Sequence, residues 1–115
     1  ESIRDIFMDQ TLPDIIICLN ELSTTCVYQA VVDYNCVGEI AILGYYDTDT
    51  ILKAIERNVI TATISIDTEQ MGAFCVDALQ EYYNYGYTSQ YFTADVTVID
   101  QSNVEEYLGK QEEAE

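Results

Sequence analysis

Three short apolar runs constrain this chain more than any other feature: Ile15-Ile16-Ile17-Cys18-Leu19, Ile40-Ala41-Ile42-Leu43 and Ala62-Thr63-Ile64-Ser65-Ile66. The first has no polar interruption, the pattern of a strand buried on both faces of a parallel sheet. The third is rich in β-branched residues, which favour strands. The second opens the stretch Ala41–Asp49, A-I-L-G-Y-Y-D-T-D, which breaks at Gly44 and ends in aromatics and acids. It reads as a buried strand that delivers polar and aromatic groups to a crevice.

Helical spacing fills the intervals. Ile3, Ile6 and Phe7 share a face over Ser2–Asp9, and Pro13 stops that helix. Cys26, Val27, Ala30, Val31 and Tyr34 recur helically between Leu22 and Asn35, after Asn20-Glu21 as cap and first-turn acid. Thr48–Arg57 turns Ile51, Leu52 and Ile55 inward, and Asn58 suits a left-handed cap. Asp67-Thr68 starts a helix with Met71, Cys75, Ala78, Leu79 and Tyr82 on one face and Gly86 just past its end. A fourth strand is expected near Asp95–Ile99, a short helix over Asn103–Leu108, then an acidic tail. Alternation of this kind implies an α/β fold: a doubly wound, mainly parallel sheet of about four strands with helices on both faces.

Composition narrows the function. With 4 basic against 21 acidic residues and a formal charge of −17, the chain lacks the clustered Lys and Arg that nucleic acid or an anionic membrane needs. Histidine is absent, which removes the commonest general base and metal ligand. Cys18, Cys26, Cys36 and Cys75 have no C-x-x-C spacing and read as buried free thiols. No run reaches the roughly 20 apolar residues of a membrane span. The chain begins at Glu1, so the lack of a leader segment decides nothing about export.

Ligands of doubly wound sheets bind beyond the carboxyl ends of the strands. Those ends carry Asn20 and Glu21, then Tyr45, Tyr46 and Asp47, then Asp67, and finally Asp100. Asn20 and Glu21 offer an amide and a carboxylate to adjacent hydroxyls of a polyol, or simply cap the next helix. A tyrosine ring stacks on the C–H face of a sugar. Strand alternation sends Tyr45 and Tyr46 to opposite faces, so one of them meets ligand and the other joins the core. Asp47 and Asp49 form a D-x-D pair suited to a hard cation, though helix capping explains them better. Tyr82, Tyr83, Tyr85, Tyr87 and Tyr91 form an aromatic cluster without the interleaved basic residues of a single-strand binder. Nothing resembles a catalytic constellation: Ser–His and Cys–His pairs are impossible and no phosphate-binding glycine loop exists. A phosphate-accepting receiver with Asp47 as acceptor lacks its lysine, because Ile66 leads into Asp67, Thr68 and Glu69.

Taken in order, Pro13–Glu21, Ile42–Asp47, Ala62–Gly72 and the ending Val96–Asp100 with Asn103 and Tyr107 resemble a known family. They are similar to the carboxyl-terminal half of the type 1 periplasmic binding proteins, the sugar-binding components of ABC importers. The resemblance implies a non-catalytic solute-binding protein without cofactor. Its partners would be a small carbohydrate-like ligand and a transporter permease, at an extracellular, cell-surface or periplasmic location. The alternative it implies is a ligand-sensing effector domain of a transcription regulator or membrane receptor. The family's Asn-Asp pair falls on Asn20 and Glu21. Its Gly-Phe-Asp falls on Gly44-Tyr45-Tyr46, so Tyr46 replaces the sugar-binding acid unless Asp47 serves one position later. Its glutamine falls on Ile66, which cannot bond a hydroxyl, so a different sugar, a nucleoside or a small amphiphile stays open as ligand. By the same match residues 1–67 form most of a second lobe, the chain crosses at a hinge near Asp67 and Thr68, and residues 68–100 belong to a first lobe. Residues 101–115 form the closing segment and tail. The helix from Thr68 then either packs back on the same sheet or pairs with a second copy as a homodimer.

Overall fold

The computed structural model describes residues 2–8 and 11–112. Elements alternate as α1 (Ser2–Met8), β1 (Ile15–Ile17), α2 (Glu21–Asp33), β2 (Ala41–Tyr45), α3 (Asp49–Glu56), β3 (Ala62–Ile66), α4 (Thr68–Tyr85), β4 (Val96–Asp100) and α5 (Val104–Glu112). The four strands form one sheet in the order β1-β2-β3-β4. β1–β2 and β2–β3 are parallel, with Ile17 beside Leu43 and Tyr45 beside Ile64. The amide of Asp67, just past β3, donates to the carbonyl of Asp95, just before β4. An end thus meets a beginning, as antiparallel neighbours do. Asp9, expected in the first helix, lies outside the described residues, as does the tail beyond Glu112.

Two compact units divide the chain. The first comprises Glu1–Ser65 with Val98–Glu115. Its core joins Val27 and Val31 of α2, Ile42 of β2, Ile51, Leu52 and Ile55 of α3, Ile60, Ile99 of β4 and Val104 of α5. Helices α1, α2, α3 and α5 pack in that sequence, each against the next, and α2 also lies on β2. The stops follow local chemistry: Asn35 and Asn58 take positive φ of 54° and 60° at helix ends, where asparagine tolerates the left-handed region.

Three expectations change. Gly44 does not break β2; the strand continues through it to Tyr45. β1 is three residues long and is not buried on both faces, since Ile15 and Ile17 are 57% and 65% exposed and lie on the same sheet face as Leu43 and Ile64. The apolar composition of such a strand records two coverable faces, whereas burial depends on what actually packs there. Only Cys18 and Cys36 are buried thiols; Cys26 and Cys75 are exposed. Burial pushes the Cys18 thiol up, an effect partly offset by a hydrogen bond with Thr24. Under native conditions two thiols should therefore react quickly with a disulfide reagent, and all four only after unfolding. Fast reaction of three or more would place Cys18 or Cys36 at the surface.

The second unit, Ile66–Thr97, is built on α4. Asp67 caps its start by accepting from the Gln70 amide at 2.8 Å, and Gly86 at φ 77° closes its end. The returning segment is fastened at both ends. Asp95 donates its amide to the Gln70 side chain at 2.6 Å, and Glu81 accepts the Ser89 amide at 2.8 Å and the Thr88 hydroxyl at 3.0 Å. The Ser89 amide, then the Thr88 hydroxyl, hold the Glu81 carboxyl below its usual range. Phe74 and Phe92 meet between these anchors at 5.4 Å. An apolar groove of about 250 Å³ runs along this unit, lined by Met71, Phe74, Cys75, Ala78, Phe92 and Ala94. α4 buries none of its residues: Leu79 is 71% and Tyr83 90% exposed. Among the described residues, no helix is long and apolar enough to cross a membrane.

Candidate functional site

The parallel register carries the ends of β1 and β2 to the same edge of the sheet, where the chain turns from β2 into α3. Gly44 lies in the sheet because nothing larger fits. A Cβ there would meet the Thr24 methyl at 2.6 Å and the Thr63 hydroxyl at 3.2 Å. Tyr45 donates its amide to Thr24 Oγ1 at 3.0 Å. That hydroxyl donates back to the carbonyl of Asn20, the residue that caps α2, at 2.8 Å. Thr24 therefore ties the end of β1 to the end of β2.

Tyr46 is in the left-handed region, φ 81°, unusual for a residue with a side chain. Its amide donates to the Ile64 carbonyl at 2.8 Å, and its own carbonyl accepts the Thr63 hydroxyl at 2.6 Å. Asp47 accepts the Ser65 hydroxyl at 2.7 Å. Both tyrosines are half-buried, so neither ring joins the core, in contrast to the expectation that one would. The reason is position: Tyr45 shares its face with Leu43 and Ile64, both partly open, and Tyr46 lies past the last strand residue.

The other expected residues are placed as follows. Asn20 is exposed and caps α2 by accepting the Ser23 amide at 2.8 Å. Glu21 is exposed in the first turn of α2, where a carboxylate favours the helix dipole. Asp49 pairs with Lys53 at 2.7 Å within α3, so the two acids of the D-x-D stretch have different partners. Asp67 and Thr68 belong to the second unit, as cap and first residue of α4. The first unit thus brings Asn20 and the Tyr45–Asp47 turn together through Thr24, and joins the turn to β3 through Thr63 and Ser65.

Those three hydroxyl residues were missed by sequence reasoning. A signal existed: in A-T-I-S-I the polar residues alternate with apolar ones, which marks a two-faced strand. Hydrophobicity would turn Thr63 and Ser65 to solvent. The structure instead buries them, at 0% and 8% exposure, and leaves Ile64 at 42%.

No protein-family model matches the chain, and no curated protein does. Solved structures do. A solute-binding protein of an ABC transporter from Agrobacterium vitis, bound with α-D-tagatopyranose, superposes with a TM-score of 0.84 at 14% identity, covering 95% of this chain and 37% of that one. A second, from Bacillus halodurans C-125 with bound myo-inositol, gives 0.77 at 20% identity over 94% and 38%. A XylFII–LytSN complex mutant gives 0.69 at 23% identity over 90% and 36%. The chain spans little more than a third of the length of these proteins. It has the fold of the sugar-binding proteins of ABC transporters, over that share of their length.

Proposed function

We propose that this chain is part of a two-lobed solute-binding protein that captures a small sugar-like molecule for an ABC importer, without catalysis. The observation that carries the reading is the Gly44–Asp47 turn. It stands at the carboxyl edge of parallel strands, where ligands of such sheets bind, and it presents a half-buried tyrosine in a fixed backbone conformation. The ligand-binding set is Asn20, Glu21, Tyr45, Tyr46, Asp47 and Asp67, with Asp67 and Thr68 also at the hinge between lobes. Residues 1–67 supply most of one lobe and 68–100 a helix and strand of the other. Its place is outside the cell membrane, with the permease as macromolecular partner.

Two structural neighbours bound to polyols support a neutral, hydroxyl-rich ligand. The first unit offers that ligand carboxylates, an amide and phenols, groups that pair with hydroxyls. A screen of myo-inositol, D-allose, D-tagatose and D-galactose against the two-lobed protein containing this chain tests the reading. Binding to the folded form alone raises the melting temperature, by about 2.7 kcal/mol of stabilisation at a hundredfold excess over Kd. No shift with any member of a broad polyol and nucleoside panel overturns it. A second reading is ligand sensing in a receptor or regulator, a role in which the chain would work in complex with another protein, as XylFII, a structural neighbour, does with LytSN. Binding of the same sugar with no transport phenotype on deletion would select it.

A further inference from the structure

Among the described residues the buried polar side chains are Thr24, Thr63 and Ser65, and all three act on consecutive residues of one turn. Thr24 receives the Tyr45 amide, Thr63 donates to the Tyr46 carbonyl, and Ser65 donates to the Asp47 carboxylate, at 3.0, 2.6 and 2.7 Å. They come from two elements, α2 and β3, and converge on the last residue of β2 and the two that follow it. A buried hydroxyl is unfavourable unless it finds a partner, so three of them committed to one turn need a local reason. The middle residue of the turn supplies one. Tyr46 holds a φ of 81° that a residue with a Cβ adopts only where its surroundings over-determine it.

From this geometry we infer that Thr24, Thr63 and Ser65 form a clamp that preorganises the turn, with Thr63 as the positioning residue for Tyr46. Resting on the proposed function, the clamp makes the Tyr46 ring the specificity-determining group of this turn. The Tyr46 carbonyl and the Asp47 carboxylate are already engaged by Thr63 and Ser65. Beside the carboxylate of Asp47, the turn offers a ligand an aromatic face, suited to the C–H side of a neutral ring. A rigidly held ring binds without the entropy loss of ordering the loop.

A double-mutant cycle on the 115-residue chain tests the clamp without any ligand. Thr63→Val keeps the shape and removes the hydroxyl, and Tyr46→Gly removes the need to hold a strained residue. If Thr63 acts through Tyr46, the rise in the unfolding constant caused by Thr63→Val is at least threefold smaller in the Tyr46→Gly background. Thr63→Ser, which keeps the donor, restores protection of the turn amides against hydrogen exchange. Equal rises in both backgrounds would make Thr63 an ordinary core residue and overturn the proposal; if Thr63→Val fails to fold, the exchange comparison of Thr63→Ser with wild type decides alone, and unprotected turn amides in wild type overturn it. On the two-lobed protein, Thr63→Val should weaken binding of the sugar identified by the screen about tenfold. Coupling without any sugar binding supports the clamp and defeats the function; sugar binding without coupling does the reverse.

Discussion

Gly44→Ala destabilises the chain by about 1–2 kcal/mol in urea unfolding, although alanine is ordinarily the better residue in a strand. The added methyl group would lie 2.6 Å from the Thr24 Cγ2 atom, and both Thr24 and Thr63 are fully buried. Overpacking of this kind costs roughly 1–3 kcal/mol, against about 0.5–1 kcal/mol gained by replacing glycine. The clash names its own remedy. Thr24→Ser removes the offending methyl and keeps the hydroxyl that holds Tyr45. Alone, it should destabilise by loss of a buried methyl; beside Gly44→Ala, it should stabilise. The change of sign is the measurement. A double variant no more stable than Gly44→Ala would mean that the strand moves rather than Thr24.

A larger loss, about 2–5 kcal/mol, is expected for Leu52→Ala in α3, whose side chain is 0% exposed within the main core. Small domains have about 5–15 kcal/mol of stability in all, so the unfolding midpoint should fall steeply. The control is Leu79→Ala in α4, an equally apolar position at helical spacing. Because Leu79 is 71% exposed, the change should remain within about 0.5 kcal/mol. Comparable losses at the two positions would show that α4 is covered in solution, as by a second copy of the chain.

Much of the path of the backbone is readable from residues near in sequence. Asn20 and Asp67 cap helices, Gly86 and Asn58 stop them, and β3 covers the five residues its β-branched pattern marks. Each is a contest settled within one turn of chain: a side-chain oxygen satisfies an orphan amide, or a residue tolerates positive φ. The turn before α3 was visible in outline, as an apolar run yielding to aromatics and acids, although its break was expected at Gly44 and the strand runs on to Tyr45.

Burial was another matter. Ile17 and Ile42 read alike in the sequence, yet one is 65% exposed and the other 0%. Cys18 and Cys26 differ in the same way. Hydrophobicity tells which groups leave water when a surface is available; it does not say which surfaces a chain provides.

The amino-acid sequence alone determined the alternation of strands and helices, the acidic character that excludes polyanionic partners, and the placing of the tyrosines at a strand end. Tertiary structure alone decided that Thr24, Thr63 and Ser65 turn inward onto that end, that Gly44 must lack a side chain, and that Tyr46 is held at positive φ. The physical reason is range: capping and periodicity act over a few residues, whereas those hydroxyls reach their partners across 17 to 21 positions of chain.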